Sequence, residues 1–274
     1  MMRKFVIHDR AGELREYLSK RGYTFENRPN QLFLARGPGV VVNVYKTGTV
    51  LVQGKNVEEA NKIAEFIAGI TSSTTEQIIG TDEAGKGDYF GPAVVAGVYL
   101  TEEHVRELSR KGVALMDSKK MSDEAVLFAA SLIAKTVGRD NIAVTCIDPA
   151  KYNELHRTMN MNEILAKAHQ KVIRALSERT EAEKAVVDRF ADVKISAPVE
   201  VTMETKAESK YPAVAAASII ARAFFLRKLQ ELEKRYNFRF PKGAGEAVSM
   251  AKERFIRERG EERLWNVAKV HFNV

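Results

Sequence analysis

The sequence predicts an α/β protein of two units: a small α+β unit over residues 1–70 and a larger one over 76–274 in which helices cover a sheet. Three features predict this. Residues 71–75 (Thr-Ser-Ser-Thr-Thr) are small, polar and without hydrophobic period, so they read as a linker. Ahead of them, strand-like runs are interleaved with two helical patterns. After them, strands and helices alternate, as a helix-covered sheet requires.

In the first unit, Phe5-Val6-Ile7 reads as a short strand, and Leu14 and Leu18, four apart, mark one face of a helix that Gly22 ends. Strand-like runs follow at Leu32–Leu34, Val40–Tyr45 and Val50–Val52, the last two joined by a turn at Thr47-Gly48. Asn56 with Glu59 three residues on is a helix-start signal, and Ile63, Phe66 and Ile67 supply that helix's apolar face. In the second unit, Ile78-Ile79, Ala93–Leu100, Ile142–Val144 and Ala185–Val187 read as strands. Helices are expected over 102–111, 122–137, 162–178, 213–235 and 246–259.

Composition narrows the function. The chain has 274 residues, is 45% hydrophobic, and carries 43 Lys and Arg against 36 Asp and Glu, a net charge of +7. A basic surplus suits a polyanionic partner, because each neutralised phosphate releases counterions. Residues 1–75 hold 11 Lys/Arg and 7 Asp/Glu, so the first unit carries more than its share. Cys146 is the single cysteine, which excludes a disulfide framework and a thiolate cluster. No apolar run reaches about 18 residues and no leader pattern opens the chain. A soluble cytoplasmic protein with no membrane partner and no evident obligate protein partner is the expectation.

The chemistry concentrates in Gly80-Thr81-Asp82-Glu83-Ala84-Gly85-Lys86-Gly87-Asp88-Tyr89-Phe90-Gly91-Pro92. An apolar strand delivers two adjacent carboxylates into a glycine-rich bend. Neighbours on a strand point to opposite faces, so Asp82 and Glu83 share a site only if the strand ends there and twists. Gly85 and Gly87 permit that twist and let backbone approach a ligand. Gly80 to Lys86 also matches a phosphate-cradling loop, but Gly87 stands where a magnesium-binding Ser or Thr is needed, and two carboxylates would repel a triphosphate. Two further acids have a fitting setting: Asp188 closes the apolar run Ala185-Val186-Val187, and Glu208 precedes an Ala-rich helix.

In this order, Asp82-Glu83-Ala84-Gly85-Lys86-Gly87, Asp117-Ser118-Lys119-Lys120, an Asp closing an apolar strand and Ala215–Ala221 resemble the type 2 ribonucleases H. The resemblance covers essentially the whole second unit and implies a ribonuclease H-like mixed sheet flanked by helices. Gly85-Lys86-Gly87 followed by Asp88–Pro92, where ribonuclease HII typically has Gly-Arg-Gly, points to the HIII branch. So does Glu208, since HII usually places Asp there. Members of that branch carry an N-terminal extension similar to the TATA-binding-protein fold, and Val50–Lys55 is the stretch most like it.

The resemblance implies an endonuclease that hydrolyses the RNA strand of RNA–DNA hybrids and leaves 5′-phosphate and 3′-hydroxyl ends. It places the metal-site acids on Asp82, Glu83, Asp188 and Glu208, holding two divalent ions, Mg²⁺ or Mn²⁺, which prefer carboxylate oxygens. Backbone of Gly85, Lys86 and Gly87 would sense the ribose 2′-hydroxyl. Ser118, Lys119 and Lys120 would hold phosphates. Lys46, Lys55 and the cations at 20–21 are candidates for the hybrid's backbone. Two alternatives remain: HII-like incision at single ribonucleotides in duplex DNA, and a catalytically silent hybrid-binding protein. The five histidines lack metal-ligand spacing and read as surface or helix residues, Asn160 and Asn162 could approach substrate but read more plainly as helix-capping residues, and Arg222 and Arg227 read as the solvated side of the helix over 213–235.

Overall fold

The computed structural model describes every residue except 1, 8–10, 73–76, 114, 116–117 and 119–120. The chain divides into two compact units, Met1–Thr74 and Thr75–Val274.

The first unit contains β1 (Met2–Val6), α1 (Ala11–Lys20), β2 (Thr24–Glu26), β3 (Gln31–Gly37), β4 (Val40–Tyr45), β5 (Thr49–Gly54) and α2 (Val57–Ser72). The strands form one antiparallel sheet in the order β1-β5-β4-β3-β2. Asn56 caps α2, its side chain accepting from the Glu59 amide at 3.1 Å. Leu14 and Leu18 of α1 and Ala60, Ile63 and Ile67 of α2 are buried with Phe33, Val42, Val44 and Val52 in one core. Tyr17 and Phe66 join the two helices in a parallel stack with ring centroids 3.8 Å apart. The strand β2 carries no sequence signal, because three residues cannot show an alternation. The expected linker starts within α2, which continues to Ser72; residues 73–75 lie outside those described.

The second unit contains β6 (Ile78–Ala84), β7 (Ala93–Leu100), α3 (Glu102–Arg110), α4 (Asp123–Val137), β8 (Ile142–Ile147), α5 (Pro149–His156), α6 (Met161–Ser177), β9 (Lys184–Asp188), β10 (Glu200–Glu204), α7 (Pro212–Tyr236) and α8 (Glu246–Arg259). The sheet order is β10-β9-β6-β7-β8. Strands β6, β7 and β8 pair antiparallel, whereas β9 is parallel to both β6 and β10, so the sheet is mixed. All eight residues of β7 are buried. Alternate side chains serve two cores: Val94, Ala96 and Val98 pack with α7, and Ala93, Val95 and Tyr99 with α6. A strand covered on both faces reads as a continuous apolar run, which is why Ala93–Leu100 shows no alternation.

Helix α6 buries Leu165, Ala168, Val172, Ile173 and Leu176, the face that its three-and-four spacing dictates. Each large aliphatic side chain so buried contributes about 1.5–3 kcal/mol. Gly97 sets how closely α6 approaches. It pairs with Thr81 across β6 and β7, and a Cβ there would lie 2.4 Å from Val172 Cγ1 and 2.9 Å from Leu176 Cδ1. Among the described residues, no helix is long and apolar enough to cross a membrane.

Candidate active site

The carboxylates lie where the central strands end. Strand β6 does not stop at Asp82 as expected; it runs through Ala84, and Gly85 takes the left-handed φ of +84° that turns the chain. Ladder hydrogen bonding to β7 holds the strand extended past both acids. Asp82 and Glu83 therefore leave on opposite faces, Asp82 toward α7 and Glu83 toward α6.

Asp82 is buried. Its Oδ1 accepts from the Glu83 amide at 2.7 Å, and the Ser218 hydroxyl of α7 donates to it. Ser218 Oγ lies 2.8 Å from Ser118 Oγ. A hydroxyl carries one hydrogen, so with Ser218 donating to Asp82, Ser118 must donate to Ser218. Ser118, expected on a phosphate, is thus buried behind Asp82 at 2% exposure. Its carbonyl accepts from Arg222, which also pairs with Asp123 at 3.0 Å. Lys242 joins the same Asp123 at 2.6 Å. Arg222 is therefore half-buried in a polar network and not on the solvated side expected of it, while Arg227 is exposed. Lys119 and Lys120 lie outside the described residues.

Asp188 ends β9, and its Oδ1 accepts from the Ala207 amide at 2.8 Å. Strand β10 makes this possible. It pairs in register with β9, Glu204 beside Asp188, and leads through Lys206 at a left-handed φ of 56° into a short 3₁₀ turn holding Glu208.

The four acids act on one another. Burial pushes Asp82 up to about 8, with repulsion from Glu83 and then Asp188 adding to it, against the Ser218 and Glu83 hydrogen bonds. Burial likewise raises Asp188 to about 6, opposed by the Ala207 amide and reinforced by Glu208 and Glu83. Glu83 Oε2 and Glu208 Oε2 are buried and have no hydrogen-bond partner among the described residues. As the side chains stand, no three His, Cys, Asp or Glu groups among the described residues are gathered closely enough to hold one metal ion. The donor chemistry nevertheless fits a hard cation: the carboxylates are crowded, desolvated and partly unpartnered, and each of those costs falls when a positive charge is shared.

Beside the acids, a cavity of about 810 Å³ is lined by Glu83, Lys86, Gly87, Asn162, Arg222 and Lys242, among others. Gly87 faces open space, so its backbone can be approached, whereas a Cβ on Gly85 would meet the Pro92 carbonyl at 2.2 Å. Lys86 Nζ donates to the Phe190 carbonyl at 2.5 Å and sits 5.2 Å from the centre of that ring. Asn160 caps α6 as expected, and its neighbour Asn162 reaches the cavity.

The sequence reading missed His169. It is fully buried, its Nδ1 lies 2.9 Å from Thr81 Oγ1, and its Nε2 lies 3.4 Å from Glu83 Oε2. A polar residue on the apolar face of a helical pattern was the one available signal. In the first unit, Lys46 and Lys55 are exposed at opposite ends of the β4–β5 hairpin. The cations at 20–21 are engaged instead: Lys20 pairs with Glu16 at 2.7 Å and Arg21 with Glu59 at 2.6 Å.

Fold and site together define a class: a mixed sheet between helices, with a nest of carboxylates at the ends of its central strands beside a partly basic cavity. Residues 79–274 match the family model described as Ribonuclease HII, and residues 8–77 match the Domain of unknown function (DUF3378). Ribonuclease HIII of Geobacillus kaustophilus is 37% identical, over 88% of this chain and 86% of that protein. Ribonuclease HIII of Chlamydia abortus is 34% identical, over 95% and 91%. The crystal structure of Bst-RNase HIII in complex with Mn²⁺ superposes with a TM-score of 0.70 at 33% identity, covering 98% of this chain and 96% of that one. Aquifex aeolicus RNase H3 gives 0.62 at 29%, covering 99% and 100%. The chain belongs to the ribonuclease HIII branch of the type 2 ribonuclease H family. Its activity is that branch's, endonucleolytic hydrolysis of the RNA strand of RNA–DNA hybrids.

Proposed function

We propose that Asp82, Glu83, Asp188 and Glu208 hold two divalent cations, Mg²⁺ or Mn²⁺, and that this centre performs the cleavage. The single observation that carries the assignment is the mutual effect of the acids: burial and repulsion raise Asp82 and Asp188, while the buried Oε2 of Glu208 lacks a partner among the described residues. When bound, two cations supply Lewis acidity that makes a water nucleophilic and neutralises the leaving 3′-oxygen. The protein's own groups set the geometry. Ser118 and Ser218 orient Asp82, and the Ala207 amide orients Asp188. The Gly85-Lys86-Gly87 backbone reads the ribose 2′-hydroxyl, which separates RNA from DNA. Lys86, Arg222 and Lys242 supply positive charge for phosphates at the cavity.

Residues 1–70 serve as the hybrid-binding unit, with Lys46 and Lys55 contacting the nucleic-acid backbone, and residues 71–75 connect it to the catalytic unit. The enzyme acts in the cytoplasm. Asp82→Asn and Asp188→Asn should each abolish cleavage and retain hybrid binding. Cleavage surviving in both variants would remove the mechanism. An all-RNA/DNA hybrid should be cut in preference to a DNA duplex carrying one ribonucleotide; the reverse preference would establish HII-like specificity.

A further inference from the structure

We infer that His169 is a positioning residue for Glu83, its Nε2–H holding the Glu83 carboxylate in the orientation that leaves the other oxygen for metal. The inference rests on Glu83 being a metal ligand, as proposed above. His169 is fully buried, and each ring nitrogen faces one polar atom: Nδ1 lies 2.9 Å from Thr81 Oγ1 and Nε2 lies 3.4 Å from Glu83 Oε2. Both Nε2 and that Oε2 are otherwise without a hydrogen-bond partner among the described residues. A buried orphan polar atom costs about 1–3 kcal/mol, so two of them facing each other are explained by the bond they form when the carboxylate closes a few tenths of an ångström.

The imidazole is held from three sides. In this arrangement the Thr81 hydroxyl is the donor to Nδ1, 2.9 Å away, which leaves the ring proton on Nε2, facing Glu83. Phe190 stacks on the ring at 4.9 Å and 9°, and Lys86 ties down the Phe190 carbonyl. Gly97, opposite Thr81, lets α6 come close enough for His169 to reach the strand at all. A histidine kept only for packing would need neither the tautomer lock nor the carboxylate opposite.

The test uses the full chain. Mn²⁺ binding is measured calorimetrically without substrate, alongside melting temperature, kcat and KM, for His169→Phe, His169→Gln, His169→Asn and Glu83→Gln. Gln places a donor near Nε2, whereas Asn reaches only Nδ1. His169→Phe and His169→Asn should weaken Mn²⁺ binding about 10- to 100-fold, lower kcat and leave KM for hybrid unchanged, and His169→Gln should recover most of the loss. Should the Phe variant fail to fold, the Gln and Asn pair decides. Equal Mn²⁺ binding in the Gln and Asn variants, or wild-type binding in a folded Phe variant, overturns the inference. If Glu83→Gln alone binds Mn²⁺ like wild type, the ligand assignment of Glu83 has failed instead.

Discussion

Replacing Asp82 by Asn should make the metal-free protein more stable while removing its activity. The folded chain holds a proton on Asp82 up to about pH 8, and the unfolded chain releases it near the ordinary carboxylate value of 3.8. Between those values the folded state binds a proton that the unfolded state lacks, so stability falls as pH rises through that window. At about pH 7 the gap is roughly three units at about 1.4 kcal/mol each, a burden on the order of 4 kcal/mol. Asn carries no such burden, and its carbonyl oxygen can accept the Glu83 amide hydrogen bond that Asp82 Oδ1 accepts. In chelator, the variant should therefore exceed wild type by about 2–4 kcal/mol at about pH 7, and the advantage should shrink toward about pH 4. Saturating Mn²⁺ should reverse the order, because a ligand stabilises the state that binds it. Denaturant melts of both proteins across this pH range, with and without Mn²⁺, measure all three effects. A variant less stable than wild type in chelator at neutral pH, or an advantage that does not shrink in acid, would refute the electrostatic account of the site.

Two other expectations concern the scaffold and the first unit. Lys269 is fully buried, donates to the Gly91 carbonyl at 2.7 Å, and is pulled by burial to about 7, with Asp88 opposing. The unfolded chain keeps that proton to near 10.5, so stability should rise as pH climbs from about 7 toward 10. Lys269→Met should abolish this rise in melts; its persistence would rule out Lys269 as the source. The double variant Lys46→Ala/Lys55→Ala should weaken hybrid binding and reduce the slope of log affinity against log salt by about two, roughly one per phosphate contact. An unchanged slope would place those lysines off the nucleic acid.

What the sequence made legible follows from how local each signal is. Asp188 was visible because an apolar run that ends in a carboxylate marks a strand end by itself, and the same signal picked out Asp82 and Glu83 although their strand runs on through Ala84. Glu208 was recognisable by its place before the Ala-rich helix, but the strand that carries it back to Asp188 was not. Strand β10 sits at the sheet edge with its residues exposed or half-buried, and so lacks an apolar run. The supports of the acids were hidden for a different reason. His169 looks like any polar residue on α6 until Gly97 and Thr81, far away in the chain, are placed beneath it. Ser118 reads as part of an exposed loop until Arg222 and Ser218 of α7 close over it. These residues are defined by what packs on each face of β6, and nothing local announces that.

Those two faces also show how adjacent carboxylates are supported by different layers of the fold without a break in the strand. Asp82 is steadied from the α7 side by two serines, and Glu83 faces a histidine on the α6 side. Asp188, one strand over, is steadied by a backbone amide from the turn after β10. Each acid therefore depends on a different layer of the fold. Loosening α7 should be felt through the protonation of Asp82, whereas lifting α6 should be felt through the orientation of Glu83, and the sheet edge should be felt at both Asp188 and Glu208. If the four acids form one centre, as proposed, a rigid shift of either helix should impair it, because the carboxylates would move out of step with one another while each remained locally well packed.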